Sequence, residues 1–556
     1  VSEARLAQAR AWMRQDPDAE TRDELAAVIT RAAGGEETAV ADLEDRFGTR
    51  LAFGTAGLRG ALGAGSNRMN RVLVAQAAAG FAAFLRERAG ARTPTVVVGY
   101  DGRRNSRVFA TDSAELFAGA GLRAILLPRL LPTPVLAFAV RHLGADAGVM
   151  VTASHNPPND NGYKVYLGGA DQGSQIVAPA DSEIAAHIQR IADDGDISTL
   201  PRSRAYETAG EDVVEAYIAA TAAVSPAPAG SSDLRWVYTA LHGVGWETLS
   251  KIVAAAGYPQ PMVVGEQLKP DATFRTVSFP NPEEPGAMDL AFARARRVQA
   301  DFILANDPDA DRLAVAIPDA SSDSGWRRLT GNEVGLLLGA RAARAAAGTP
   351  GASLACSLVS SPGLGAVAAH HGLDFHETLT GFKWISRAPG IAFGFEEALG
   401  YLVNPETVRD KDGISAAVAI LGLAAEAHAR GGSLAELLTE LGDTYGHYAS
   451  GQVSVRVEDL SIIGDVMLSL RTLPPTRFGH LAVAEAQDLL HAPQGQPSGD
   501  VLRYRLDDGS RIIVRPSGTE PKLKVYIDAK ADSATGAAET VRGLEAAVRT
   551  LLEERS

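Results

Sequence analysis

Residues 151–166 read VTASHNPPNDNGYKVY. Gly148, Val149, Met150 and Val151 predict a buried strand running to its end, and residues 156–162 carry turn chemistry. Ser154 is then expected on a surface loop at a strand end, a common place for a nucleophile. The alternative is a strand and a solvated turn with an incidental serine, and this window alone does not separate the two.

A second stretch, residues 305–312, reads ANDPDADR and follows the apolar run Phe302, Ile303, Leu304. From average composition, three alternating aspartates such as Asp307, Asp309 and Asp311 are expected by chance about 0.1 times in a chain of this length. In a locally extended chain alternate side chains share a side, so the three carboxylates would converge, which is unfavourable without a cation. A hard divalent ion suits the oxygen ligands, Mg2+ in particular if a phosphate joins them, whereas Zn2+ would want His or Cys. An EF-hand is excluded: counting from Asp307, the sixth position is Arg312 and the twelfth is Pro318. An exposed acidic turn is the plainer alternative.

The chain has 556 residues, more than one hydrophobic core usually supports, so several domains are expected. It is 46% hydrophobic and 22% charged, with no apolar stretch long enough to span a bilayer. The single cysteine, Cys356, rules out an internal disulfide, and the charged, amphipathic amino-terminal stretch lacks a signal-like apolar region. A cytoplasmic location is the expectation. The formal charge of −14 argues against nucleic-acid or anionic-membrane partners, so an anionic substrate would need local basic pockets.

Strands alternating with Ala-rich helical segments predict α/β layers. Residues 1–44 read as a helical extension. Domain 1 spans residues 45–210, with strands at 95–99 and 123–127 around a helix at 106–119. Domain 2 spans 211–325 and carries the glycine-rich LHGVG, a helix at 246–255 and the strand at 302–304. Domain 3 spans 326–446, with a helix at 332–347 and strands at 354–359 and 391–395. Domain 4, residues 447–556, alternates as a small antiparallel sheet with helices, an α+β pattern. The Pro/Ala/Gly/Ser stretch 225–232 reads as a loop inside domain 2.

Two further stretches carry anion chemistry. Residues 515–526 read RPSGTEPKLKVY. Arg515, Ser517, Gly518 and Thr519 offer a guanidinium, two hydroxyls and a backbone able to turn its N–H groups inward, a nest suited to tetrahedral phosphate oxygens. Lys383 follows Gly381 and Phe382, and Glu396 and Glu397 follow an apolar strand; such acids commonly accept hydrogen bonds from sugar hydroxyls, though each could be a surface ion pair.

Together these stretches resemble the α-D-phosphohexomutase superfamily, the phosphoglucomutase/phosphomannomutase family, over nearly the whole chain and in the expected order. TASHNP at 152–157 is similar to its phosphoserine loop, DPDADR at 307–312 to its DGDADR magnesium loop, FEEALGY at 395–401 to its sugar-recognition loop, and RPSGTEP at 515–521 to its phosphate-binding loop. FGTAGLRG at 53–60 resembles its opening motif, which brings an arginine, here Arg59, to the active site. The resemblance implies four domains around a central cleft, three similar α/β domains and a smaller last one.

It also implies a mechanism. Ser154 as phosphoserine would donate a phosphoryl group to one end of a sugar, with Mg2+ held by Asp307, Asp309, Asp311 and a phosphoserine oxygen, and the sugar bisphosphate would turn round and return a phosphate. Arg312 would offset the acid cluster's charge. Lys164 is nominated as general base, with Lys383 second; either needs a lowered pKa, which burial or a cation such as Arg59 could supply. His155 is read as orienting the loop. Ala398 stands where the family commonly has serine, and the GFKW and FEEALGY wording looks closest to the glucomutase and phosphopentomutase branch. Glucose 1-phosphate is therefore the expected substrate, ribose or deoxyribose 1-phosphate the main rival and mannose 1-phosphate a third, with the protein a monomer or homodimer. A haloacid-type phosphatase would need a threonine after its aspartates and would leave TASHNP unused; a non-catalytic sugar-phosphate sensor would have no use for nucleophile, metal cluster and base together.

Overall fold

The computed structural model describes residues 2–457, 460–492, 498–517 and 522–555. The amino-terminal stretch is helical, as three helices, α1 (Glu3–Gln15), α2 (Ala19–Ala33) and α3 (Glu37–Phe47). Pro17 ends the first, the Asp18 side chain caps the second by accepting from the Glu20 N–H, and Gly35 turns the chain at a φ of 86°. Trp12, Leu25, Leu43 and Phe47 face inward, with the Trp12 and Phe47 rings edge to face at 5.9 Å.

The strands form four sheets among the described residues. The first contains β1 (Leu58–Ala61), β2 (Thr95–Tyr100), β3 (Arg123–Leu126), β4 (Ala147–Val151), β5 (Asp160–Leu167), β6 (Ser174–Gln175) and β7 (Glu207–Thr208), ordered β1-β5-β4-β2-β3-β7 with β6 on β5. The second contains β8 (Trp236–Thr239), β9 (Met262–Val263), β10 (Phe302–Asn306), β11 (Leu313–Pro318) and β12 (Trp326–Arg328), ordered β12-β11-β10-β8-β9. The third contains β13 (Ser353–Ser357), β14 (Asp374–Thr378), β15 (Ile391–Glu396) and β16 (Gly400–Leu402), ordered β14-β13-β15-β16. The fourth is antiparallel: β17 (His447–Arg456), β18 (Arg477–Phe478), β19 (Leu481–Asp488), β20 (Leu502–Leu506), β21 (Arg511–Pro516) and β22 (Lys522–Ala531), ordered β17-β22-β21-β20-β19-β18.

The first three sheets share one device. Parallel strands with helices between them form the centre, as their continuously buried apolar runs require. At its carboxyl end one of these strands then turns back into an antiparallel neighbour: β4 into β5, β10 into β11, and β15 into β16. The three connecting loops are residues 152–159, 307–312 and 397–399, which carry Ser154, the aspartates and Glu397. Each turn is tight enough to hold a non-glycine residue at positive φ: Ser154 at 50°, Ala310 at 56° and Leu399 at 62°.

The chain forms two compact units, one running through Arg328 and including Asn404–Ala425, the other comprising Leu329–Val403 and the chain from Glu426 onward. The segment Asn404–Ala425 returns to the first unit for identifiable reasons. Asp410 accepts from the Tyr166 hydroxyl at 2.9 Å, and Asp412 accepts from the Tyr217 hydroxyl at 3.0 Å while capping the helix Gly413–Ala429 through the Ile414 and Ser415 N–H groups. In the second unit Arg511 ties the third sheet to the fourth: its guanidinium donates to Glu377 at 2.7 Å, to Asp528 at 2.7 Å and to the Ser360 carbonyl at 2.6 Å.

Candidate active site

Ser154, expected on a surface loop from its turn-rich flank, is instead buried, only 2% exposed. Its Oγ donates to Asp307 Oδ2 at 2.7 Å and lies 3.2 Å from His155 Nδ1. The loop is held by a residue that no sequence motif announced. Arg103 donates to the carbonyls of Ser154 (2.7 Å), Asn156 (2.6 Å), Pro157 (2.8 Å) and Asp160 (3.1 Å), and its guanidinium covers the Phe274 ring at 4.9 Å. Asp101 supports it from behind at 3.7 Å and accepts from the Thr152 hydroxyl, which in turn accepts from the Ser154 N–H. The turn is also shorter than expected, since Asp160, Asn161 and Gly162 already belong to β5. A Cβ on Gly162 would come within 2.6 Å of the Thr152 carbonyl oxygen, so only glycine lets the two strands approach here.

The three aspartates do converge, but not because the chain is extended. Residues 307–311 turn, with the Ala310 N–H donating to the Asp307 carbonyl at 2.9 Å and Ala310 in the left-handed region. One carboxylate oxygen of each of Asp307, Asp309 and Asp311 lies within 4.8 Å of the others, and all three side chains are buried. The LHGVG loop makes room: Val244 N–H donates to the Pro308 carbonyl at 2.8 Å, and a Cβ on Gly243 would sit 2.3 Å from Pro308 Cα.

Lys164, on β5, donates to Asp309 Oδ2 at 2.7 Å and Asp311 Oδ2 at 2.9 Å. Two further residues that sequence reasoning missed reach the same carboxylates. Thr133, opening the helix Thr133–His142, donates its hydroxyl to Asp309 Oδ2 at 2.6 Å and its N–H to the Asp309 carbonyl. Lys411 Nζ stands 3.3 Å from Asp311 Oδ2 and 3.6 Å from Asp410 Oδ1. The one signal for Lys411 was the charged run RDKD against a helix that is almost wholly apolar through residue 425, which is out of place unless the charges are used.

The electrostatics follow from burial and crowding. Burial, then Asp309 and Asp311, push the Asp307 carboxyl well above its ordinary value. Burial also opposes ionisation of Asp309, but Lys164 and the hydrogen bonds around it hold that carboxyl low, and Lys164 and Lys411 do the same for Asp311. Burial would lower Lys164, yet Asp309 and Asp311 carry it above its ordinary value, so the lowering that a lysine base needs is not met here. His155 is driven well below its ordinary value by burial first and by Arg312 and Arg59 next, which leaves a neutral imidazole beside the serine.

Two oxygens in this cluster, Asp309 Oδ1 and Asp311 Oδ1, are buried without a hydrogen-bond partner. Unpartnered oxygens among converged carboxylates are what a hard cation fits, and the donor set is oxygen only. Among the described residues this is the one acidic or His/Cys group with such geometry. Arg59 Nη1 reaches Asn156 Oδ1 at 3.1 Å, and Arg312 donates its N–H to Asp307 Oδ1 at 3.0 Å, with its Nε 3.9 Å from Asp311 Oδ1.

Ser154, His155, Arg59, Lys164, Asp307, Asp309, Asp311 and Arg312 therefore gather in the first unit. The remaining candidates are in the second. Glu397 Oε2 accepts from the Ser357 and Ser360 hydroxyls at 3.1 Å, and Gly331 backs its carbonyl so closely that a Cβ there would lie 1.9 Å away. Glu396, Glu397 and Arg515 surround Tyr526, whose phenol is raised by burial and then by Glu397, with Arg515 opposing. Lys383 Nζ lies 6.0 Å from the centre of the Trp384 ring. The Ser517 N–H donates to the Lys522 carbonyl at 2.8 Å, and Gly518 and Thr519 lie outside the described residues.

Comparison with known proteins places the chain in one family. Residues 50–194, 215–320, 330–445 and 474–542 match, in order, the profiles of phosphoglucomutase/phosphomannomutase alpha/beta/alpha domains I, II and III and the C-terminal domain. A Haemophilus influenzae protein described as "Probable phosphomannomutase" is 52% identical over 87% of this chain and 98% of its own length. The Homo sapiens phosphopentomutase is 34% identical over 95% and 92%, and a Staphylococcus epidermidis phosphoglucomutase 32% over 88% and 92%. In fold, a phosphoglucomutase/phosphomannomutase family protein from Burkholderia thailandensis superposes with a TM-score of 0.69 at 19% identity, over 90% of this chain and 98% of that one. Among the described residues no helix is long and apolar enough to cross a membrane. With four family domains in order along one α/β chain and mutases among its relatives, this chain belongs to the phosphoglucomutase/phosphomannomutase family of the α-D-phosphohexomutase superfamily and is an intramolecular phosphotransferase.

Proposed function

We propose that this mutase moves a phosphoryl group between the C1 oxygen and the terminal hydroxymethyl oxygen of a phosphosugar, with Ser154 as the carrier and glucose 1-phosphate as the preferred substrate. The observation that carries the reading is Ser154 Oγ at 2.7 Å from Asp307, beside two buried carboxylate oxygens without partners. Asp307, Asp309 and Asp311, with an oxygen on Ser154, would hold Mg2+, which supplies withdrawal of charge from the phosphoryl group.

The chain's own residues do the rest. Starting from phosphoserine, the sugar hydroxyl oxygen forms a bond to phosphorus while the bond to Ser154 Oγ breaks, and the hydroxyl proton passes to a base. After the bisphosphate turns round, Ser154 Oγ takes the other phosphoryl group and the released sugar oxygen takes a proton. Arg103 keeps the serine loop still through both halves. Arg59 and Arg312 face the transferring group with positive charge. Lys164 remains the first candidate for the proton and Lys383 the second; the ammonium of Lys164, held by Asp309 and Asp311, is placed to give up a proton only once those carboxylates are otherwise engaged. Glu396 and Glu397 would accept from sugar hydroxyls, and Arg515 with Ser517, Gly518 and Thr519 would hold the phosphate that is not reacting.

A second reading, a pentose 1-phosphate as substrate, is favoured by Ala398, which removes a donor from the recognition loop, and by the phosphopentomutase relatives. The "Probable phosphomannomutase" relative keeps mannose 1-phosphate as the third. Initial rates on glucose, ribose and mannose 1-phosphates separate these; a mannose rate far above the other two overturns the choice of glucose. Ser154→Ala tests the carrier: turnover is lost while sugar-phosphate binding stays within a few-fold, and full turnover in that variant contradicts the proposal.

A further inference from the structure

The helices α1 to α3 lie before the segment that the family profile matches, which begins at residue 50. They are more than packing. Glu24 of α2 and Arg46 of α3 form an ion pair at 2.7 Å, and the pair grips the backbone of one residue, Ala64, at both its N–H and its carbonyl. Glu24 Oε2 accepts the Ala64 N–H at 3.2 Å, and Arg46 Nη1 donates to the Ala64 carbonyl at 3.2 Å. The neighbouring backbone is drawn in as well: the Asn67 N–H donates to the Arg46 carbonyl at 3.0 Å, the Asn67 side chain to the Asp45 carbonyl at 2.9 Å, and Ser66 Oγ to the Thr49 carbonyl at 2.9 Å. The approach demands glycine. Gly65 sits at a φ of 119°, and a Cβ on it would lie 2.7 Å from the Arg46 carbonyl oxygen.

What is gripped leads to the serine. Leu62 N–H donates to the Asn159 carbonyl at 2.7 Å, so the held loop is bonded to the far end of the serine loop. The same loop follows β1, which pairs with β5 in the register Arg59↔Gly162 and Ala61↔Asp160. The Arg59 guanidinium donates to Asn156 Oδ1, and the Asn156 amide donates to Asp160 Oδ2 at 2.8 Å.

We propose that Glu24 and Arg46 are positioning residues for phosphoryl transfer: by holding the Ala64 backbone at its N–H and its carbonyl they fix the end of the serine loop and the strand that carries Arg59. The inference rests on the reading of Ser154 as phosphate carrier. A structural role alone would act on stability, and a partly exposed ion pair contributes little there, whereas a loosened loop misplaces the donor and admits water.

The test uses the full chain with Glu24→Ala, Arg46→Ala and Glu24→Gln, measuring Tm, kcat, KM and the fraction of sugar bisphosphate lost to hydrolysis per turnover. The alanine variants are expected to lower kcat about tenfold at nearly unchanged KM, to raise the hydrolysed fraction, and to lower Tm by no more than about 3 °C. Glu24→Gln, which keeps an acceptor for the Ala64 N–H, recovers part of kcat, and it carries the test if an alanine variant does not fold. Unchanged kcat and hydrolysed fraction alongside a lowered Tm overturn the proposal. Ser154→Ala measured in parallel separates the two levels: full turnover there removes the carrier reading itself, while lost turnover there with unaffected Glu24 variants sinks only the positioning role.

Discussion

The loop at residues 152–159 and the loop at 307–312 occupy the same place in sister sheets, at the turn from a parallel strand into its antiparallel neighbour. They differ in what is left unpaired. In the serine loop four carbonyls converge on the Arg103 guanidinium, Ser154 N–H is bonded to Thr152, and its hydroxyl to Asp307. In the acid loop two carboxylate oxygens have no hydrogen-bond partner, and cations reach it both from the loop itself, Arg312 at 3.9 Å from Asp311 Oδ1, and from other segments, Lys164 and Lys411. Both turns are completed by residues from elsewhere in the chain, but the acid loop keeps two oxygens without a hydrogen bond. On the proposed reading the carrier belongs to the serine loop and the cation to the acid loop, although both loops are built alike.

The contrast can be broken from either side. The largest effect is expected at Asp309: Asp309→Asn should lower kcat by about 10^3-fold. It should also abolish the rise in Tm that Mg2+ gives the unaltered chain, as read by thermal melts with and without the ion. A variant that keeps the Mg2+ shift would place the ion elsewhere. Next is Arg103→Ala, which removes the donor from four carbonyls, that of Ser154 buried and the others partly so, and should cost about 3 kcal/mol in urea unfolding and about 10^2-fold in kcat. Arg103→Lys should rescue little of either, since an ammonium cannot fork to four acceptors; full rescue would mean that charge alone matters.

A smaller effect concerns the segment that brings Lys411 to the acid loop. Burial pushes the Asp412 carboxyl up to about 6, against hydrogen bonds from Ser415, Tyr217 and Ile414. A folded pKa above the unfolded one means a contribution fully present below pH ~4 and lost as pH rises through about 6, worth about 3 kcal/mol at most. The stability difference between the unaltered chain and Asp412→Asn should therefore change across that window and stay flat above pH ~7; a flat difference throughout would contradict the assigned burial. Smallest of all, Ala398→Ser restores a donor and should shift the glucose-to-ribose rate ratio toward glucose by about three- to tenfold, which competing-substrate rates would show.

Much of this was legible in the sequence because it is local. The strand into TASHNP and the strand into DPDADR were readable from apolar runs followed by turn residues, and the aspartates' convergence was foreseen, though for the wrong local reason. The pattern Asp-x-Asp-x-Asp suggested alternation along an extended chain, while Pro308 and the left-handed Ala310 bend it into a turn. Burial of Ser154 was not legible, since it comes from Asp307, which is distant in sequence. The same holds for Arg103, Thr133 and Lys411: each acts across more than forty residues of chain, and nothing in its neighbours marks the distant atom that it meets. The direction of the Lys164 shift was not legible either: burial and neighbouring cations, the two ways of lowering it, both act, but two carboxylates within 3 Å outweigh them.

The most direct test of Ser154 as the carrier is intact mass after incubation with a sugar bisphosphate and Mg2+. The chain should gain the mass of one phosphoryl group, and Ser154→Ala should gain none. A phosphoryl group retained by Ser154→Ala, mapped by peptide mass to Asp309 or any other residue, would contradict the assignment of the carrier to the serine loop.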